Sequence, residues 1–270
     1  MNKRGIVFTL CAYLLLVGLL GIPLLFDTQL QFVDNEISKD AQVMRVLQTQ
    51  EVLRSGFLFA MGFNVSDYVF NGSVVNVSLR GDVRLDSGVN YDTNVSEVVD
   101  GFENYIEGPL NVTWSGARAE MMLSDWEIDV NGEYLQVNFE DAADLAFIEL
   151  HLYFEGSYAY TDNLDNDGSG NPKVEITLEN STDSQRLVHY IDVTSLESTL
   201  NVTNGVNVTF GRVSSATYLN VSGGQVDVNE LSIGRYNNSH PLFLETKDTV
   251  VLNSTDHYLE RTLKLLEILS

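Results

Sequence analysis

The chain has one cysteine in 270 residues, four prolines, two tryptophans, and only 15 lysines and arginines against 38 acidic residues. Each scarcity removes a class of explanation. With Cys11 alone no intrachain disulfide can form, so a folded exterior has to be held by a packed core, by glycans or by bound ions. The formal charge of −23, with no basic stripe to offset it, repels phosphate and excludes nucleic-acid binding. Only five of the cations are lysines, and an acid-rich, lysine-poor surface suits solubility at high salt, where charges are screened. Catalytic signatures are missing too. There is no G-x-S-x-G elbow, no phosphate-binding glycine loop and no spare thiol, and His151, His189, His240 and His257 lack the i, i+4 partner of a helical zinc site. The sequence therefore reads as non-enzymatic, although two carboxylates of a glycosidase pair need only meet in space. Of the tryptophans, Trp126 is in phase with Ile128 and Val130, which marks a core position rather than a sugar-stacking platform.

Charge is also absent from Gly5 to Phe26, 22 residues behind Lys3 and Arg4. As a helix this run spans roughly 33 Å, enough for a bilayer core. The two cations place Met1 in the cytoplasm and everything beyond Phe26 outside, a part carrying 13 cations and 38 acids, or −25. No small-residue cleavage site follows the run, and Cys11 sits behind Leu10 in its middle, which rules out lipidation there. A basic tip ending in glycine, Lys3-Arg4-Gly5, before an uninterrupted apolar helix resembles the class III signal of archaeal type IV pilin-like proteins. That resemblance implies cleavage after Gly5, a mature chain beginning at Ile6, and association with copies of itself or with other pilin-like subunits. Leu10 stands where the bacterial members of the family usually carry glutamate.

The second positive signal is the triplet N-x-S/T. It occurs eleven times, at Asn64, Asn71, Asn76, Asn94, Asn111, Asn180, Asn201, Asn207, Asn220, Asn237 and Asn253, against roughly three by chance placement. All lie on the side assigned to the exterior, so most are expected to accept glycans. Asn94 and Asn253 instead fit helix caps, because each opens a helical pattern.

Three regions follow: 1–26, a cytoplasmic tip and transmembrane helix; 27–56, an amphipathic helical stalk; and 57–270, an extracellular β-rich head. In the stalk Leu30, Val33, Ile37, Ala41, Met44 and Leu47 recur at helical spacing, and Gly56 is the expected stop. Beyond it the period becomes two. Trp126 to Val130 and Leu135 to Phe139 flank Asn131-Gly132, which predicts a hairpin with a type I′ turn. Further strands are expected at 75–79, 148–154, 174–178, 188–193, 202–210, 218–228 and 243–252. One inserted short helix is capped by Asn94 and Glu97 and ends at Gly108-Pro109. A C-terminal amphipathic helix is expected over 256–269, with Leu259, Leu263, Leu266 and Leu269 on one side. The fold class is mainly β with a long N-terminal α-helix, and the head is expected to be a β-sandwich or jelly roll.

One stretch looks like an ion site. Asn163, Asp165 and Asp167 before Gly168 match the opening of a calcium loop, but position twelve is Val174 with Glu175 adjacent; a solvated turn is the alternative. The function expected from sequence is a single-pass, N-glycosylated cell-surface protein with a structural or adhesive, pilin-like role, in contact with membrane lipid. The alternatives are a membrane-tethered carbohydrate-binding module whose partner is polysaccharide and, behind it, an exported glycoside hydrolase.

Overall fold

The computed structural model describes residues 44, 47–71, 73–105, 110–114, 119–140, 142–164, 172–191, 197–213, 216–236, 242–247, 250–254, 259–263 and 266–269. The chain divides into two compact units, Met1–Glu51 and Val52–Ser270. In the first, the described residues 44 and 47–51 are helical; Gly5, Ile6 and the apolar run lie outside the described residues.

The second unit is mainly β. It begins with α1, residues 52–60, then β1 (Phe63–Asn71), β2 (Val74–Leu85), α2 (Tyr91–Tyr105), β3 (Leu110–Trp114), β4 (Glu120–Leu123), β5 (Trp126–Val130) and β6 (Tyr134–Phe139). After a 3-10 turn at Ala142–Asp144 come β7 (Leu145–Tyr153), β8 (Tyr160–Asn163), β9 (Lys173–Glu179), β10 (Ser184–Tyr190), β11 (Ser198–Val202) and β12 (Asn207–Val213). The chain ends with β13 (Ala216–Ser222), β14 (Val226–Tyr236), β15 (Leu242–Thr246), β16 (Val250–Ser254), β17 (Leu259–Leu263) and β18 (Leu266–Leu269). A six-stranded sheet has the order β1-β2-β14-β7-β9-β10, a nine-stranded sheet β18-β15-β4-β5-β6-β13-β12-β11-β8, and a three-stranded sheet β17-β16-β3. Every described pair is antiparallel except β7 with β9.

Alternation in the sequence becomes a buried face in the nine-stranded sheet. In β5 and β6 the residues Trp126, Ile128, Val130, Leu135, Val137 and Phe139 are fully buried, while the intervening Glu127, Asp129, Gln136 and Asn138 are not. At about 1.5–3 kcal/mol for each large apolar side chain removed from water, this stripe is a principal source of stability. Trp126 meets Phe139 edge-on, with ring centroids 5.2 Å apart. Above Trp126, at 5.3 Å, lies the guanidinium of Arg235 from β14 of the six-stranded sheet.

Several expectations change. Residues 259–263 and 266–269 are strands, not one amphipathic helix. The leucine spacing that suggests a helix also serves two short strands, and pairing with β16 and β15 satisfies their backbone groups where a helix of some twelve residues would be marginal. Gly56 does not stop its helix. Leu53, Phe57 and Ala60 continue one buried stripe through it, and burial outweighs the roughly 1 kcal/mol that a helical glycine costs. The stretches 202–210, 218–228 and 243–252 are each broken into two strands. Asn204-Gly205 and Gly223-Gly224, all four at positive φ, make the first two breaks. The Asn131-Gly132 hairpin is present, but neither residue has positive φ; instead Asn131 Oδ1 accepts from the Glu133 and Tyr134 amides. The inserted helix is present as α2, with Asn90 rather than Asn94 as its cap: Asn90 Oδ1 accepts from the Thr93 amide at 3.0 Å.

Candidate functional site

The connections 86–90, 131–133, 154–159, 203–206 and 223–225 meet at one end of the strands and lock onto one another by backbone contacts. Gly132 approaches the 86–90 loop so closely that a Cβ there would lie 1.9 Å from the Val89 carbonyl oxygen. The Gly223 amide donates to the Glu133 carbonyl at 3.1 Å, and Thr203 and Ala159 exchange two bonds, amide to carbonyl at 2.7 Å and amide to Oγ1 at 2.8 Å. Gln225 Nε2 donates to Asp86 Oδ2 at 2.8 Å. Loops fixed in this way present a surface organised before any ligand arrives.

Two depressions share Gly224 and Gln225. The larger, of about 520 Å³, is bounded by Asp86, Ser87, Gly132, Glu133, Tyr134 and Ser222. The smaller, of about 280 Å³, is bounded by Arg84, Tyr153, Phe154, Glu155, Asn204 and Asp227. Arg84 organises the second: its Nη1 is 2.9 Å from Glu155 Oε1 and its Nε 3.8 Å from Asp86 Oδ2. Burial pushes the Asp227 carboxyl above its ordinary range, and Arg84 opposes that shift. Beside the larger depression the Tyr134 hydroxyl is pushed up to about 12, first by burial and then by its bond to Asp129. The combined lining of carboxylates, amides, hydroxyls, one guanidinium and aromatic rings suits a polar, hydroxyl-rich ligand with one flat apolar face.

A second charged cluster lies on the six-stranded sheet. Glu149 and Glu175 are register partners across the parallel β7–β9 pair. Burial raises Glu149, and the charge of Glu175 adds to this. For Glu175 burial acts upward too, but bonds from Arg186 and Lys173 outweigh it and leave the group lowered. The two depressions are lined by neither residue, and the cluster reads as a charge network.

The residues singled out from sequence fall as follows. Asn64 in β1 and Asn201 in β11 are exposed; Asn76 in β2, Asn180 after β9, Asn207 in β12 and Asn220 in β13 are half-buried. Asn94 is exposed on α2. Asn71 ends β1, and Asn111 of β3 stands opposite Asn253 of β16 in register. Asn237 lies outside the described residues. Of the calcium candidates, Asn163 is the exposed last residue of β8, whereas Asp165 and Asp167 lie outside the described residues. Among the described residues no three of His, Cys, Asp and Glu are placed to hold a metal ion. His151 Nε2 lies 2.6 Å from Glu179 Oε2, and the buried His189 lies 3.2 Å from Asp162 Oδ2. Also among the described residues, no helix is long and apolar enough to cross a membrane. Sequence reading missed the loop end, Arg84, Glu155, Gln225 and Asp227 included. Its only traces were the turn residues Asp86-Ser87-Gly88, Asn204-Gly205 and Gly223-Gly224. Comparison with protein-family models, curated proteins and solved structures finds no match.

Proposed function

We propose that this chain is a single-pass surface glycoprotein with a cytoplasmic N-terminus, an anchoring helix over Ile6 to Phe26 and an exported β-sandwich head, whose work is structural or adhesive rather than enzymatic. The observation that carries the reading is the uncharged run behind Lys3-Arg4, followed only on its far side by eleven N-x-S/T triplets. The sandwich assignment is supported by two sheets that each bury one face and by Arg235 reaching from one to the ring of Trp126 in the other. Its partners are membrane lipid and, through the pilin-like tip, copies of itself or similar subunits.

N-terminal sequencing of the protein from its native membranes should return Ile6. Protease added to intact cells should remove the head and leave the anchor. A soluble protein, or a head protected from external protease, refutes the topology; an intact Met1 refutes the pilin-like processing alone. The two adjoining depressions favour one second reading, a tethered module that binds polysaccharide at the loop end. Retention on immobilised polysaccharide, lost on Asp227→Asn with Gln225→Ala, distinguishes it from a purely structural head.

A further inference from the structure

We infer that in the folded head Asn201 and Asn64 are open glycan acceptors, whereas Asn207 and Asn220, which carry the same two triplets, Asn-Val-Thr and Asn-Val-Ser, are closed once the nine-stranded sheet has formed. This rests on the surface-glycoprotein reading and adds an order of modification to it.

Attachment uses the side-chain amide nitrogen as nucleophile toward the anomeric carbon of an activated glycosyl donor that carries a phosphate or pyrophosphate leaving group. The C1–Nδ2 bond forms, the C1–O bond breaks with its electron pair leaving on the phosphate, and Nδ2 gives up one proton. The nitrogen must therefore be accessible, and it must be released from any acceptor it already serves. There must also be room for a ring about as wide as the 4.7–4.9 Å between neighbouring strands.

Asn201, Asn207 and Asn220 lie on adjacent strands and on the same outward face. Asn201 stands opposite Asn207, and Asn220 stands between Thr209 and Gln136. Only Asn201 meets the conditions: it is exposed, and no side-chain hydrogen bond engages it among the described residues. Asn207 is half-buried, and its Nδ2 donates to the Gly205 carbonyl at 3.3 Å. Asn220 is half-buried, its Nδ2 donates at 3.3 Å to Ser222 Oγ, the hydroxyl of its own triplet, and its Oδ1 is buried. A sugar on Asn220 would have to displace the flanking Thr209 and Gln136. Elsewhere the same division recurs. Asn64 is exposed like Asn201, whereas Asn180 is fully committed: its Oδ1 accepts from the Thr182 amide and hydroxyl and from the Asp183 amide, and its Nδ2 donates to Gly156 O. The transferase thus acts on the folded head, and site occupancy follows the exposure and hydrogen bonding that the fold gives each asparagine.

The test is site-resolved peptide mass spectrometry of the full chain from its native membranes, beside an Asn201→Gln variant expressed in the same cells. Occupancy at Asn201 should exceed that at Asn207 and at Asn220 on the order of tenfold, the factor that one committed hydrogen bond supplies. In the variant Asn207 should stay at the same low occupancy as in the parent. Equal occupancy at all three sites overturns this inference and leaves the glycoprotein reading intact. A glycan that moves to Asn207 in the variant also overturns it, because crowding by the neighbouring glycan rather than the engagement of Asn207 itself would then be the cause. Bare asparagine at every triplet overturns both readings.

Discussion

Replacing Arg235 with methionine removes a buried cation that ties the six-stranded sheet to the nine-stranded one through Trp126. Arg235 is 9% exposed. Its Nη1 lies 2.7 Å from Asp125 Oδ1 and its Nη2 3.1 Å from Asp144 Oδ2, with the Trp126 ring beneath. Breaking a fully buried pair by removing one partner costs about 3–5 kcal/mol. Here the side chains of Asp125 and Asp144 remain 36% and 23% exposed, so water recovers part of that. The cation–π contact adds about 1 kcal/mol, and methionine preserves the packing of the stem. A net loss of about 3 kcal/mol is expected, which for a unit of this size lowers the melting midpoint by roughly 6–12 °C. The assay is a thermal melt of the full chain in detergent, followed by near-ultraviolet circular dichroism. It compares the parent, Arg235→Met, and Arg235→Met combined with Asp125→Asn and Asp144→Asn. The triple variant should recover most of the loss, because no carboxylate is left without its cation. A single variant that melts with the parent, or a triple variant no better than the single, refutes the clamp.

Glu149→Gln should stabilise the head near neutral pH. Burial and Glu175 raise the Glu149 carboxyl, so the folded state holds that proton more tightly than the unfolded chain, and the native form loses stability as pH rises from the ordinary carboxylate value through the raised one. The advantage of glutamine should therefore vanish below about pH 4 in paired melts. Glu175→Gln should act oppositely: with its carboxyl lowered by Arg186 and Lys173, the contribution is present above the ordinary value and is lost as pH falls through the lowered one. Calcium should raise the melting midpoint if Asp165 and Asp167 form a site, since a hundredfold excess over Kd adds about 2.7 kcal/mol. Melts of the full chain with calcium and with chelator, beside an Asp165→Asn, Asp167→Asn double variant, check this; identical curves strike out the site.

Much of the local structure was legible because alternation along a strand needs no partner to be seen. Trp126, Ile128 and Val130 already declare a buried face, and the hairpin between β5 and β6 follows from two alternating runs about a turn. The C-terminal leucines were not legible, because spacings of four and three fit both a helix and two short strands, and only the vacant edges of β15 and β16 decide between them. Asn204-Gly205 was overlooked as a turn because valines on both sides made the stretch look continuous.

Composition and order alone determined that no disulfide can form within these 270 residues, that the net charge is strongly negative, that one uncharged segment is long enough to cross a bilayer, and that N-x-S/T triplets are in excess. Those are properties of residue type and count, and folding does not alter them. Tertiary structure decided which residues meet. Arg84, Glu155 and Asp227 come from three strands and connections far apart in the chain, and the loop end they share exists only because strands order themselves across a sheet differently from their order in sequence. The same holds for the N-x-S/T asparagines: eleven triplets match one pattern in sequence, and exposure, register and hydrogen bonding set Asn201 apart from Asn207 and Asn220, because these depend on neighbours that a linear reading does not supply.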